Sequence, residues 1–260
     1  MTLRSALLAV FLLFDAPAMA SISTAVLNSV YVVPRPHAAL PLRLSFRDDS
    51  GRSMPLADAL DGHATVLVFA DYTCRTLCGP ILDFATTALQ KTGLKPGTDY
   101  RLVVIGLNPR DGLAAARAMR ASHLDGSGPI ARSAVFLTGT APTIAAATSA
   151  LGYHFAYDRD INQYAHPAAV FVLTREGKLT RMLSGLGLSG QDMRLALVEA
   201  GQGEVGTLAD RFRLLCYCYD PVLGLYTARI NLILDIACAV TVLLLAAGIL
   251  TMRRMTRAVR

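Results

Sequence analysis

The chain has 260 residues, 53% of them hydrophobic, and a formal net charge of +6 at pH 7. Much of the positive excess lies in the last eight residues, RRMTRAVR, and the middle of the chain has no basic run with interleaved aromatic residues. These features argue against a nucleic-acid-binding protein. Five cysteines are too few to cross-link a domain of this size, so the domain must depend on an apolar core.

Residues 1–20 have the pattern of a secretory signal peptide. A short positive start precedes an apolar stretch too short to span a bilayer, and the segment ends in the small-residue cleavage site Ala-Met-Ala. We therefore expect the mature chain to begin near Ser21. Residues 21–40 are predicted to be an extended lead-in punctuated by prolines.

Residues 41–203 are predicted to form one α/β domain, which opens with two short strands around an Asp-Ser-Gly turn in 42–56. Apolar runs predict further strands at 64–70, 100–107, 134–139, 168–174 and 178–185. Apolar residues at helical spacing predict helices at 81–94, 111–124, 142–152 and 189–201. Ser189 is the predicted cap of the last helix.

The order of these elements predicts the architecture. Strands alternating with helices imply a mainly parallel central sheet covered by helices on both faces. The turn Arg175-Glu176-Gly177 joins the last two strands in a hairpin, which adds an antiparallel pair. This order is similar to that of a thioredoxin-like domain.

The C-terminal part of the chain is predicted to hold a membrane anchor. Residues 230–252 carry no charge except Asp235, which we expect near the membrane interface or a partner helix, and are long enough for one transmembrane helix. The arginine-rich tail, 253–260, is of the kind held on the cytoplasmic side. We therefore expect a single-pass protein of a bacterial inner membrane whose folded domain faces the periplasm.

Residues 204–229 are a membrane-proximal segment that contains Cys216 and Cys218. In a strand, both side chains would point to the same face, where they could bind one metal ion or pass electrons. The alternative is a segment that only packs near the membrane. Cys238 lies in the predicted anchor and is expected to be inert.

Cys74 and Cys78 follow the apolar run VLVFA and stand where a helix is predicted to begin. Their spacing puts both sulfurs on one helix face, and the helix N-terminus and Arg75 favour the thiolate form. A structural disulfide across three intervening residues would stabilise the fold little, and the usual dithiol oxidoreductase has two residues between its cysteines. Two thiolates suit Cu(I), and an added imidazole suits Cu(II) as well.

His166 is the histidine that could complete such a site. It directly precedes Pro167 and a predicted strand, in a loop that a thioredoxin-like sheet brings beside the cysteine turn. The other histidines are predicted to be solvated or packed: His37, His63, His123 and His154.

From about Leu42 to Ala200 the chain resembles the Sco/SenC family of copper chaperones for cytochrome oxidase assembly. The resemblance lies in a strand followed by CxxxC, the segment VVIGLNPRD, the LTG at 137–139, and a late histidine before a strand and an EGK turn. It implies that Cys74, Cys78 and His166 are copper ligands. It also implies a client, which would be the CuA centre of cytochrome c oxidase subunit II or another cuproprotein.

The chain departs from the family pattern in several places. Arg75 follows the first cysteine where proline is common, Gly79 separates Cys78 from Pro80, and Asn108 and Thr174 replace acidic residues. The C-terminal anchor replaces the usual N-terminal one, which indicates a side branch of the family and leaves its client open.

Two functions from different classes therefore remain open. One is a copper-binding chaperone. The other is a thiol-disulfide oxidoreductase in which Cys74 and Cys78 are the catalytic pair and reduce client cysteines. A copper or redox sensor is less favoured, because the short tail leaves no cytoplasmic output domain.

Overall fold

A computed structural model describes residues 26, 28–35, 37–74, 78–124, 126, 128–202, 205–207, 209–210, 214, 217–220, 225–228, 238–245 and 247–249. The predicted signal peptide, 1–20, and cytoplasmic tail, 253–260, lie outside these residues, as do Cys216 and much of the predicted anchor. Within the described part of the chain, no helix combines the length and the apolar character needed to cross a bilayer.

The strands, in chain order, are β1 (Tyr31–Val32), β2 (Ser45–Asp48), β3 (Ser53–Pro55), β4 (Ala64–Ala70), β5 (Tyr100–Gly106), β6 (Val135–Thr138), β7 (Tyr153–His154), β8 (Ala156–Asp158), β9 (Gln163–Ala165), β10 (Ala169–Leu173), β11 (Leu179–Ser184), β12 (Tyr217–Asp220) and β13 (Leu225–Ala228). The helices are α1 (Leu56–Leu60), α2 (Cys78–Gln90), α3 (Leu113–His123), α4 (Pro129–Ser133), α5 (Ala141–Ala150) and α6 (Gly190–Ala200).

The central sheet has seven strands in the order β11-β10-β4-β5-β6-β2-β3. Only β4, β5 and β6 run parallel to one another, since β10 is antiparallel to β4, and β2 is antiparallel to β6. The expected mainly parallel sheet was therefore wrong, and the sheet is mixed. The reason is that a crossover helix is needed to make a parallel pair, whereas hairpins were added at both edges of this sheet.

The apolar core lies on both faces of this sheet, as expected for a sheet flanked by helices. Val66 and Val68 of β4 face a cluster that includes side chains of α2, α3 and α6. Leu67 and Phe69 face a second cluster, which includes side chains of α1 and α5. Alternate residues of one strand thus enter opposite layers, and this is why β4 is buried along its whole length and apolar at every position except Thr65.

Several elements were absent from the sequence prediction. The lead-in contributes β1, which pairs with β7, and the polar connection before His166 folds into the β8–β9 hairpin. Gly152 permits the first of these contacts, because its φ is +65° and a Cβ there would lie 1.9 Å from the carbonyl oxygen of Val33. The predicted cap of α6 is confirmed, since the Ser189 side chain accepts a hydrogen bond from the Asp192 amide.

Candidate metal centre

The turn that carries Cys74 follows directly after β4. Its conformation is fixed by Tyr72, whose buried hydroxyl shares its one proton between the carbonyl oxygens of Val104 in β5 and Leu137 in β6, at 2.9 and 2.8 Å. The Cys74 amide donates to the carbonyl oxygen of Asp71 at 3.1 Å. Cys74 is partly buried and packs against the core on the α2 face.

The second cysteine begins the described part of α2. Cys78 is the first residue of that helix, and its backbone is described. Residues 75–77 and the Cys78 side chain lie outside the described part of the structure. That both sulfurs share one helix face therefore stays a prediction.

His166 lies between β9 and β10, at the end of the sheet that carries the cysteine turn. Its ring is partly buried and lies close enough to Cys74 and Asp71 for their charges to act on it. Burial lowers the pKa of His166. The hydrogen bond to the Pro167 carbonyl oxygen acts in the opposite direction, and so do the charges of Cys74 and Asp71. The structure thus places His166 and Cys74 at the same end of the sheet, and their role as metal ligands stays a prediction.

The hydrogen bonds around His166 assign its neutral tautomer. Nδ1 lies 3.1 Å from the carbonyl oxygen of Pro167 and 2.9 Å from the hydroxyl oxygen of Tyr153. The Tyr153 hydroxyl in turn donates to the same carbonyl at 3.0 Å. Because a carbonyl oxygen only accepts, a nitrogen 3.1 Å from it is placed to donate, and we therefore assign the imidazole proton to Nδ1. Nε2 then keeps its lone pair, the arrangement required of a histidine ligand.

Two buried carboxylates lie next to this pair, and sequence reasoning missed both. Asp71 accepts hydrogen bonds from Thr73 and from the amide of Tyr164. Asp111 accepts from the Tyr72 amide at 3.1 Å and from the Asn108 side chain at 2.8 Å. The available signal was their position, since each acid follows closely after a buried strand, β4 or β5.

Position 108, where the family resemblance predicts an acidic residue, is Asn108 in this chain, and its side chain donates to the carboxyl group of Asp111. Burial, and then the nearby charge of Asp71, raise the pKa of Asp111 from 3.8 to about 6. Carboxyl groups are present near the cysteine turn in Asp71 and Asp111, at positions other than 108.

The remaining histidines have other surroundings. His154 is exposed and stacks on Tyr31 with ring centroids 4.2 Å apart, and His123 pairs with Asp83 at 2.9 Å.

No group of three or more histidine, cysteine, aspartate or glutamate side chains within the described ranges is arranged to hold a metal ion, and those ranges exclude the Cys78 side chain.

Two further cysteines have a described backbone. Cys218 lies in β12, and Cys238 lies in a short exposed helical stretch. Cys216 is outside the described residues, so a joint role for Cys216 and Cys218 stays a prediction.

A cleft of about 430 Å³ borders the site on the side of Asp111. Its lining includes Arg47 and Thr140 but neither Cys74 nor His166. We therefore assign the candidate metal centre to the cysteine turn and the His166 loop, where the soft donors lie, and not to this cleft.

Asp111 should make a pH-dependent contribution to stability. Its pKa is raised in the folded state, so folding takes up a proton and this contribution is lost as the pH rises from about 4 through about 6. We expect the unfolding free energy of the protein, measured relative to that of Asp111→Asn, to fall by up to about 3 kcal/mol between pH 4 and pH 7. Denaturant titrations at several pH values measure it. A difference that stays constant or grows with pH would contradict the assignment.

Comparisons with known proteins agree with this fold. A sequence model of the SCO1/SenC family matches residues 37–197, more than half of the chain. No curated protein sequence matches the chain.

Solved structures share the fold at low identity. A protein of Aquifex aeolicus VF5, described provisionally as an electron transfer protein, is 19% identical, with 65% of this chain and 95% of that chain covered and a TM-score of 0.57. Arabidopsis thaliana ScoI with copper bound is 18% identical, with coverages of 61% and 96% and a TM-score of 0.51. BsSco, described as a member of the Sco family of cytochrome c oxidase assembly proteins with a disulfide switch, is 17% identical, with coverages of 65% and 98% and a TM-score of 0.51.

At these identities the solved structures show the fold alone. The family model shows more, because the residues it matches include the cysteine turn, the buried strands and His166. The chain therefore belongs to the SCO1/SenC family.

Proposed function

We propose that this protein is a copper-binding chaperone that assists copper insertion into the CuA centre of cytochrome c oxidase. The observation that carries the proposal is the placement of Cys74 and His166 at one end of the sheet, with the His166 proton assigned to Nδ1 so that Nε2 is the unprotonated, metal-binding nitrogen. A dithiol reductase has no need of an imidazole held in this tautomer. Copper is the cargo of the proposed function.

The donor atoms fit copper in both oxidation states. Cys74 and Cys78 supply soft thiolates, which suit Cu(I), and His166 adds the imidazole nitrogen that suits Cu(II). Burial supports this role, because it lowers the pKa of His166 and so favours the neutral ring that can bind a cation.

The client and the compartment belong to the same proposal. Residues 1–20 as a signal peptide, 230–252 as an anchor and 253–260 as a cytoplasmic tail would hold the domain on the periplasmic face of a bacterial inner membrane. There it could meet subunit II of the oxidase, or another cuproprotein. The similarity to copper-bound Arabidopsis ScoI and to BsSco, from a family of oxidase assembly proteins, supports this choice.

Copper binding is the first expected result. The purified protein should bind about one copper ion, and His166→Ala should weaken Cu(II) binding much more than Cu(I) binding, because two thiolates remain for Cu(I). Competition titrations with chelators for each oxidation state measure both affinities. His154→Ala is the matched control, since His154 stacks on Tyr31 at the surface, and it should bind both ions like the wild type. Equal loss of both ions, or no loss, would remove His166 from the ligand set.

Oxidase activity in cells separates the chaperone from the oxidoreductase. Cells that lack the protein should lose oxidase activity and regain it with added copper, because mass action can load the client site without a carrier. A thiol reductase predicts the opposite, since an oxidised client offers no thiolates and only a permeant reductant would restore it.

The variants sharpen this experiment. Serine at Cys74 or Cys78 abolishes function under both hypotheses and so does not discriminate. His166→Ala should behave like the deletion and respond to copper, while His154→Ala should keep full activity. Full activity in His166→Ala would refute the chaperone and leave the oxidoreductase.

Reporter fusions test the proposed topology. An enzyme that is active only in the periplasm should be active when fused after Ala200 and inactive when fused after Arg260, because the signal exports the domain and the arginine-rich tail stays in the cytoplasm. Whole-cell reporter activity, normalised to the amount of fusion protein, is the measurement. The reverse pattern would overturn the compartment.

A further inference from the structure

The loop that carries His166 needs something to hold it against the cysteine turn. The β8–β9 hairpin that leads into it is a separate two-stranded sheet, and the pairing of β10 with β4 begins only at Val170. Neither β8 nor β9 is therefore hydrogen-bonded to the central sheet as a strand. Among the described residues, the Asp71 side chain connects this segment directly to the cysteine turn.

Asp71 bonds both segments with opposite oxygens. Its Oδ1 accepts from the amide and the hydroxyl of Thr73, at 3.0 and 2.8 Å, directly before Cys74. Its Oδ2 accepts from the amide of Tyr164 at 2.9 Å, two residues before His166 and 93 residues away in the sequence. The Cys74 amide also donates to the Asp71 carbonyl oxygen.

The geometry requires a carboxylate at this position. Asp71 is 1% exposed, and each of its two oxygens faces at least one N–H donor. A charged acceptor makes stronger hydrogen bonds than a neutral one, and burial strengthens them further. An amide of the same shape would place its own N–H₂ group against a backbone N–H in either orientation, so one of the two connections would be lost.

We propose that Asp71 is a positioning residue of the copper site, which holds the cysteine turn against the strand leading to His166 and thereby makes the site competent for Cu(II). This inference rests on the proposed function. Cu(I) is satisfied by the two thiolates, whereas Cu(II) also needs the imidazole at a fixed place. Loosening the connection should therefore cost Cu(II) binding selectively.

The negative charge of Asp71 is the competing explanation for any effect. The charge acts on His166, where it raises the pKa, and it would attract a copper ion in either oxidation state. Loss of charge alone should therefore weaken Cu(I) and Cu(II) together. Loss of positioning should weaken Cu(II) and leave Cu(I) nearly unchanged, so the ratio of the two affinities separates the explanations.

The test uses Asp71→Asn in the full chain, purified in detergent. Asp48→Asn is the matched control, because Asp48 is also buried and also accepts backbone amides in a turn, those of Ser50 and Arg52 at 3.0 and 2.9 Å, but belongs to the β2–β3 hairpin. Both variants lose a charged acceptor in a turn, and only one of them touches the proposed site.

We expect Asp71→Asn to weaken Cu(II) binding by about 10–100-fold, the usual effect of removing a residue that orients a metal ligand, with Cu(I) binding near that of the wild type. The Cu(II)–thiolate absorption band and the electron paramagnetic resonance spectrum should change as well. Asp48→Asn should lower thermal stability and leave affinity and spectra unaltered. Thr73→Val is a milder second variant, which removes one donor to Asp71 and should shift Cu(II) in the same direction by a smaller factor.

The outcomes separate this inference from the proposed function. If the wild type binds no copper, the proposed function fails. If the wild type binds copper and Asp71→Asn has an unchanged Cu(II) affinity and spectrum, or loses Cu(I) and Cu(II) equally, the positioning role of Asp71 is refuted while the chaperone stands. Should Asp71→Asn fail to fold, a Thr73→Val protein with wild-type Cu(II) affinity and spectrum refutes it in the same way.

Discussion

The candidate site depends on the antiparallel pairing of β10 with β4. In this register Val170 lies opposite Val68 and Leu173 lies opposite Thr65, so the start of β10 lies beside the end of β4. His166 precedes β10 and Cys74 follows β4, and the two therefore meet at one end of the sheet. If the strands were parallel, His166 would lie at the other end of β4, about 23 Å away for seven residues at roughly 3.3 Å each.

Buried polar groups then fix the details that strand pairing leaves open. Tyr72 ties the cysteine turn to β5 and β6, and Gly106 makes room for its ring, since a Cβ at Gly106 would lie 2.8 Å from it. Tyr153 and Pro167 orient the imidazole, and Asp71 joins the two ligand-bearing segments. Each of these groups is costly to bury without a partner, and so each contact is also a specific restraint on the geometry of the site.

Sequence patterns predicted the core strands well because these strands are continuous apolar runs. β4 and β5 were found within a residue of their observed ends, and the β10–β11 hairpin was found from its turn. The antiparallel pairing of β10 with β4 and of β2 with β6 was not predicted, because an apolar run carries no information on which neighbour it will join. The β8–β9 hairpin was missed for a related reason, since its strands are three residues each and half-polar.

The sequence by itself determined which chemistry is available: two cysteines four positions apart after a buried strand, and a histidine before another strand. Local spacing and residue type are sufficient for that, because they decide softness, charge and the position of a helix start. Only the tertiary structure decided which imidazole nitrogen keeps its lone pair and that Asp71 bonds both Thr73 and Tyr164. Those are contacts between segments far apart in the chain, and their geometry depends on how the whole sheet is ordered.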